Sequence, residues 1–360
     1  MSVTHIVLTG GPCAGKSTGL AIIEQKLKDL GYDVIMLSEM ATQVMESGIT
    51  PSNVNSKDFQ SLLVKMQVNR DKAYSKIVSG IGAKTVILYD RGIMDGAAYC
   101  TKEEFNEILD EMNLSTQEIF SMYDGVFHLV SAAIGAPEAY SKANNKVRIE
   151  DIEQAVDADK RTLDCWVGHP HLRVINNEGV TFDQKITNLI KEILSLLGEP
   201  IPMEIERKFL VHMPNIPELQ KKYRIFRSEI IQTYLESTDG VERRVRQRGN
   251  FGDYSYYYTE KRQVEFGTRQ ENEKVINQRE YLTLLMEADT TRKQIRKTRY
   301  CMVYKDRYFE LDIYPFWKDE AILEIEVNDI NDSFEMPPEI KIIKEVTGDK
   351  SYSNFEIAGR

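Results

Sequence analysis

The chain changes its rhythm of apolar and polar residues a little past half-way. In the first part, "THIVLTGGP" (4–12), "GYDVIMLSEMA" with a strand ending near Glu39, "KTVILYDRGIMD" with a strand ending at Asp90, "DGVFHLV" (124–130) and "LRVINN" (172–177) each hold a short apolar run. Stretches of helical period lie between them, near 17–30, 58–80, 103–112, 115–122 and 150–166, and "FDQKITNLIKEILSLLG" (182–198) closes the series. Apolar strands alternating with helices predict an α/β domain with a parallel sheet covered on both faces.

Gly198-Glu199-Pro200-Ile201-Pro202 interrupts this pattern, and beyond it the period becomes two. The expected organisation is therefore a first domain at 1–198, a linker at 199–202 and a strand-rich domain at 203–360. In "PMEIERKFLV" (202–211), Glu204, Glu206 and Lys208 fall on one face, and Ile205, Arg207, Phe209 and Val211 on the other. "VERRVRQR" sets Arg244, Arg246 and Arg248 opposite Val241, Arg243, Val245 and Gln247, and "YYYTEKR" groups Tyr257, Thr259 and Lys261. "IRKTRY" pairs Lys297 with Arg299, while "RYFELDIY" and "ILEIEV" put Glu310 with Asp312 and Glu324 with Glu326. Such a face either meets water or lines an interior. Segregation of basic from acidic strands favours the interior of a closed antiparallel barrel, with cations on one wall and carboxylates on another around a metal-bridged polyphosphate.

Composition narrows the partners. The 360 residues exceed one compact core, and 42% hydrophobic residues argue against global disorder. A net charge of -10 speaks against generic DNA or RNA coating. Cys13, Cys100, Cys165 and Cys301 are scattered without metal-ligand spacing, as in a reducing compartment, and no apolar run reaches membrane-spanning length. A cytoplasmic protein is expected, with a peripheral membrane surface or a protein as further partners.

The strongest local signal is "GGPCAGKST". Gly10-x4-Gly15-Lys16-Ser17 has the spacing of a phosphate-binding loop, so Gly10, Gly11, Pro12, Cys13, Ala14, Gly15, Lys16, Ser17 and Thr18 are expected to hold a nucleotide. Lys16 reaches the terminal phosphates, and Ser17 and Asp90, the latter at the carboxyl end of a strand, are placed for Mg²⁺. No guanine-specifying NKxD segment selects between ATP and GTP. Glu39, "DRG" at 90–92 and the segment bearing Lys146 and Arg148 resemble small-molecule kinases of the nucleoside and ribosylnicotinamide type. That resemblance implies a catalytic role for Glu39 at an acceptor hydroxyl and for Arg148 as a lid cation on the transferring phosphoryl group. Asp95 is a supporting candidate, and His169-Pro170-His171 reads as a shaped loop near the nucleotide base.

Glu204-x-Glu206-x-Lys208 resembles the ExExK motif of the CYTH superfamily of triphosphate tunnel proteins, over roughly 202–356. The resemblance implies an eight-stranded antiparallel tunnel barrel. It also implies metal ligands at Glu204, Glu206, Glu324 and Glu326, with Asp312 a weaker match, and places Glu204 and Glu206 in catalysis. Phosphate ligands carried over are Lys208, Arg244, Arg246, Lys261, Lys297 and Arg299, joined by Arg248 on the same strand face. Mg²⁺, or Mn²⁺ in the tunnel, is the implied metal.

"TGGPCAGKST", "YDRGIMD", "HPHLRVI", "IERKFLV", "IIQTYL" and "RVRQRG" together resemble the TTD14 (TRPL translocation defect protein 14) family, a kinase-like P-loop domain joined to a CYTH-like domain. This implies GTP binding and association with a phospholipid headgroup, phosphatidic acid or phosphoinositide. The residues themselves point to a nucleoside triphosphate in one domain and a triphosphate-bearing small molecule in the other. A helix at about 278–288, with Leu282, Leu285 and Met286 as its apolar side, is expected to pack outside the barrel, and Tyr254, Tyr256, Tyr257 and Tyr258 to serve strand packing.

Overall fold

The computed structural model describes residues 3–78, 84–135, 152–177, 179–199, 204–237, 241–265, 268–327 and 330–359, without the side chains of 204–205, 263–265 and 268–272. Two compact units emerge, Met1–Glu192 and Ile193–Arg360.

The first unit is built on five parallel strands in the order β2-β3-β1-β4-β5: β1 Val3–Thr9, β2 Asp33–Leu37, β3 Thr85–Asp90, β4 Gly125–Leu129 and β5 Leu172–Ile175. Ile6, Val7 and Leu8 in the middle strand are completely buried, as expected of a strand covered on both faces. The helices are α1 Lys16–Asp29, α2 Met40–Glu46, α3 Ser56–Val78, α4 Lys102–Glu111, α5 Thr116–Phe120, α6 Ile152–Trp166 and α7 Phe182–Leu197. Leu20, Ile23 and Leu27 recur at helical spacing on the buried side of α1. Two of these helices start on reciprocal caps: Thr101 accepts from Glu104 N while Glu104 reaches back to Thr101 N, and Ser115 and Glu118 do the same.

Every strand of a parallel sheet ends at the same edge, so β1 and β3 deliver Gly10 and Asp90 side by side. The same rule corrects one sequence expectation. His169-Pro170-His171 precedes β5 and therefore sits at the opposite edge, away from the phosphate loop. His169 is a core residue there, bonded through Nε2 to Tyr123 O at 3.0 Å and packed edge-on against Trp166 and Phe120.

The second unit is antiparallel. Its strands are β6 Glu204–His212, β7 Ile225–Tyr234, β8 Glu242–Asn250, β9 Asp253–Glu265, β10 Thr268–Ile276, β11 Ile295–Tyr304, β12 Arg307–Ile313, β13 Glu320–Glu326 and β14 Ile342–Glu345. They form one sheet ordered β10-β9-β8-β7-β11-β12-β13-β6-β14, and β10 also pairs with β6 through Thr268–Ile205 and Arg269–Glu204. This antiparallel, β-rich arrangement is consistent with a CYTH-like fold. The hairpins β8–β9 and β11–β12 turn on left-handed residues, Phe251 with Gly252 and Lys305 with Asp306, whose twist matches that of the flanking strands.

Alternation separates two faces. On one, Phe209, Val211, Met302, Phe309, Leu311, Leu323 and Ile325 pack against Leu219 of α8 (Ile216–Lys222). On the same side Val245 and Ile276 lie under α9 (Gln278–Leu284). The predicted helix at 278–288 thus ends early, in a 3₁₀ turn at Leu285–Glu287, and its inward residues are Tyr281, Leu284 and Leu285. Leu282 and Met286 are exposed, at 55% and 88%. Tyr281 packs against Tyr256 with centroids 4.7 Å apart and rings tilted by 36°, and this aromatic contact sets the helix phase instead. The other face carries the charges. At one end it turns apolar, where Leu210, Tyr234, Ile295, Tyr314 and Ile322 are covered by Ile357 and Ala358 of α10 (Asn354–Ala358).

Candidate functional site

The phosphate loop is shaped by its glycines and held from behind. Gly10 has φ 143° and approaches β4 so closely that a Cβ would lie 2.2 Å from Leu129 O. Gly11 N donates to Asp159 Oδ1 at 2.7 Å, and a Cβ there would lie 2.6 Å from that carboxylate's own Cβ. Asp159 Oδ1 also accepts from Ser131 N at 2.9 Å, and Oδ2 faces His128 Nε2 at 3.2 Å. Burial pushes the Asp159 carboxyl upward, but His128 and the two amides outweigh it, so its pKa falls below the ordinary value. Ala14 O accepts from buried Lys185 Nζ at 3.0 Å, which also reaches Val130 O at 2.6 Å. Pro12 O accepts from Ser131 Oγ. Cys13 holds φ 57°, and Ser17 and Thr18 are exposed at the start of α1.

Around the loop mouth lies a charged cluster. Lys16 Nζ touches Gly10 O at 3.2 Å and Gly11 O at 3.4 Å. Burial, then the charge of Arg91, bring its pKa down to about 8. Asp90 is pushed upward by burial against the pull of Lys16, and its buried Oδ1 finds no hydrogen-bond partner among the described residues. An orphaned buried carboxylate oxygen beside a phosphate loop fits a cation ligand.

Glu39 stands at the N-cap of α2 but makes no side-chain bond to the helix amides. Its carboxylate instead takes Arg91 Nε at 2.6 Å and Thr42 Oγ1 at 2.9 Å. Burial raises its pKa, but Arg91 and Lys16 win, leaving it lowered and ionised. Arg91, in the left-handed region at φ 67°, also bonds Asp95 Oδ1 at 3.1 Å. Asp95 accepts in addition from Thr9 Oγ1, Gly92 N at 2.9 Å and Trp166 Nε1 at 3.2 Å. It is a buried hub that fixes Arg91, which in turn fixes Glu39. Lys146 and Arg148 lie outside the described residues.

In the second unit the charged face is buried. Arg248, Arg244, Glu324, Lys297, Arg299 and Lys261 are 1–7% exposed, and Asp312 is completely enclosed. The strands that carry the cations, β9, β8 and β11, lie to one side of the sheet order and the acidic strands β12, β13 and β6 to the other, and the charges pair where the two groups meet. Lys208 Nζ bridges Glu206 at 2.9 Å and Glu324 at 2.5 Å. Arg299 binds Asp312 through Nε at 2.7 Å and Nη2 at 2.6 Å, Glu324 at 2.7 Å, and Glu310. Lys297 holds Asp312. Pairing across neighbouring strands offsets part of the cost of burying these charges, and β11, β12, β13 and β6 are consecutive in the sheet.

Burial works against the Lys208 charge, but Glu206 and Glu324 raise its pKa. Glu324 would rise on burial, yet Lys208, Arg299 and Lys297 hold it well below the usual carboxylate range. Lys297, desolvated and beside Arg299, falls to about 8. Across the face, Arg246 approaches Glu273 at 3.5 Å and Arg244 approaches Glu242 at 3.7 Å. Arg246 Nε, Ser228 Oγ and Gln232 Oε1 are buried and find no hydrogen-bond partner among the described residues. The backbone of Glu204 pairs with β10, and Glu326 pairs with Glu206 across β13 and β6. No cluster of three or more His, Cys, Asp or Glu side chains suited to a metal occurs among the described residues. Glu206 and Glu324 nevertheless converge on a single cation, the donor chemistry that a hard divalent ion also asks for.

Residues 5–183 match the family model described as AAA domain. The first unit is P-loop NTPase-like in character. The match runs from β1 to the start of α7 and covers just under half of the chain. No curated protein matches the chain. Among solved structures, the hypothetical protein NE1496 is 31% identical, with 44% of this chain and 98% of that one covered at a TM-score of 0.31. A structure titled the inorganic triphosphatase NE1496 is 31% identical, over 44% and 95%, at 0.30. PH1819 protein from Pyrococcus horikoshii OT3 is 22% identical, over 35% and 79%, at 0.29. No helix among the described residues is long and apolar enough to cross a membrane.

The sequence reading did not find Asp159, Lys185, Glu273 or the hub role of Asp95. A signal existed for Asp159. It falls among Ala155, Ala158, Thr162, Leu163 and Trp166 on the buried stripe of α6, where an acid needs a partner.

Proposed function

We propose that the protein is a phosphoanhydride-handling enzyme with two sites: a Mg²⁺-dependent ATP or GTP site in the first unit, and a tunnel for a triphosphate-bearing compound in the second. Support for the first is the loop 10–18 with Lys16 at its mouth and the orphaned Asp90 oxygen beside it. Ser17 and Asp90 would hold the metal, whose charge offsets that of the phosphates, while Lys16 grips the terminal phosphate and the loop amides cradle the chain.

The tunnel reading takes the two β10–β6 pairings as the closure of strands β6 to β13 into an eight-stranded barrel with the charged face inside. One observation carries it above the others: seven cationic side chains, Lys208, Arg244, Arg246, Arg248, Lys261, Lys297 and Arg299, share a mostly buried face on which Arg246 still has a donor to give. An enclosed anion with several oxygens satisfies such a wall. Glu206, Glu324 and Glu326, with Asp312, are the carboxylates available to a divalent ion there, which would supply charge neutralisation and an activated water, and Glu204 joins them only as the CYTH resemblance implies.

Calorimetric titration with tripolyphosphate, followed by phosphate-release assays with Mg²⁺ and with Mn²⁺, tests the tunnel. Binding that Arg246→Ala weakens at least tenfold is expected, together with released phosphate. Absence of binding by a folded protein overturns the tunnel reading, and binding of phosphatidic acid vesicles in preference to tripolyphosphate favours the lipid ligand that the TTD14 resemblance implies.

The Glu39–Arg91 pair favours a second reading of the first unit, phosphoryl transfer to a small hydroxyl acceptor. Glu39 is ionised, held by Arg91 and close enough to Lys16 to feel its charge. Glu39→Gln should then abolish acceptor-dependent nucleotide turnover while nucleotide binding persists. Turnover that never depends on an acceptor removes this reading.

A further inference from the structure

Glu206 and Glu324 approach the same nitrogen. Lys208 Nζ is 2.9 Å from Glu206 Oε1 and 2.5 Å from Glu324 Oε1, and the register places Lys208 directly opposite Glu324 on the neighbouring strand. The second oxygen of Glu324 is taken by Arg299 Nη2 at 2.7 Å. Arg299 itself is immobilised by two bonds to Asp312 and a further one to Glu310. Asp312 also holds Lys297. These carboxylates thus already have cations, all supplied by the chain itself.

The cations are not equally fixed. Arg299 is a planar fork locked by three carboxylates, whereas Lys208 is a single ammonium on a flexible four-carbon stem. A divalent ion that used the Lys208-facing oxygens of Glu206 and Glu324 would lie within a few ångströms of that ammonium, in an enclosed space where like charges repel strongly. One of the two must leave, and only the lysine stem can swing.

We propose that the Lys208 ammonium is an internal counter-ion of the second site, seated where a divalent cation would bind Glu206 and Glu324, so that ammonium and metal exclude each other at this carboxylate pair. The inference rests on the tunnel reading for its purpose but not for its test. No bond is made or broken, and the proton stays on Nζ. Metal-free tunnel is then a stable, internally neutralised state of the fold, and metal binding there is a replacement.

Mn²⁺ binding, read as the loss of the free-ion electron paramagnetic resonance signal, tests this in a Ser17→Ala background without nucleotide, which silences the first site. Adding Lys208→Met should tighten Mn²⁺ binding at least tenfold, while Lys208→Arg, which keeps the charge, should stay within about twofold of the parent. Combining Glu206→Gln with Lys208→Met should erase the gain. Unchanged or weaker Mn²⁺ binding by Lys208→Met overturns the proposal, since it would make the lysine an organiser of the metal ligands. Melting curves check folding, and Lys208→Gln repeats the titration should the methionine variant melt early. Tripolyphosphate binding in the presence of Mg²⁺ is measured separately: its absence overturns the tunnel reading, while the Mn²⁺ result alone decides the counter-ion.

Discussion

At Asp159 one carboxylate oxygen accepts two backbone amides, from Gly11 in the phosphate loop and from Ser131 after β4. An asparagine can present the same oxygen to both, while an alanine leaves two buried N–H groups without an acceptor, at a cost of about 2–4 kcal/mol. Asp159→Ala should therefore lower the unfolding free energy by about that amount and weaken nucleotide binding, and Asp159→Asn should restore most of the binding. Charge adds a pH dependence. The folded pKa of this acid is depressed, so its ionisation stabilises the fold above the unfolded-state value of about 3.9, and the contribution is lost as pH falls through the lowered folded value. Urea unfolding at pH 6 and pH 3.5 should show the gap between wild type and Asp159→Asn shrinking at the lower pH. At this scale the sequence was legible where spacing is rigid. Gly10, Gly15, Lys16 and Ser17 are fixed by the geometry of a loop around phosphate, and Asp90 by its strand end. Asp159 is 148 positions from Gly11, and nothing local to either residue announces the contact.

Elements obey alternation as long as their neighbours allow it. In β13, Leu323 and Ile325 face the apolar layer and Glu324 the charged one, as the period of two requires. Leu323→Ala should cost about 2–4 kcal/mol in chemical denaturation, because a completely buried leucine leaves a cavity between strands that cannot close up. Tripolyphosphate affinity per folded molecule should be unchanged, since the lost atoms lie on the other face. The helix after β10 shows where pattern alone fails. Its Leu282 and Met286 look like an apolar stripe, but the Tyr281–Tyr256 contact fixes the rotation of the helix and turns both outward. A contact made by tyrosine, which is apolar in its ring and polar at its tip, is easily misread in a two-letter pattern. Likewise the alternation located the charged strands β6, β8, β9, β11, β12 and β13 but not β10, whereas the pairing of Lys208 with Glu324 depends on strand order and register, which no single strand carries.

The whole molecule joins two units, a parallel sheet whose middle strand ends in the loop 10–18 and an antiparallel sheet with a buried charged face. If each site is complete in its own unit, the two should fail separately. Lys16→Ala should abolish detectable ATP and GTP binding in calorimetry and leave tripolyphosphate binding within about twofold, and Arg246→Ala should do the reverse. A variant that loses both ligands while still melting cooperatively would overturn this separation.

The charged face of the second unit is not uniform along its length. Two residues beyond Lys208, Glu324 and Lys297 come Leu210, Ile322 and Ile295, and the last helix lays Ile357 and Ala358 over them. In the proposed tunnel such a stopper leaves one mouth. A phosphate chain would then enter end-first, rest against grease, and back out by the way it came. Product and the next substrate could not pass each other, so turnover would wait on departure, and a long polymer could be trimmed only from its tip and never threaded through.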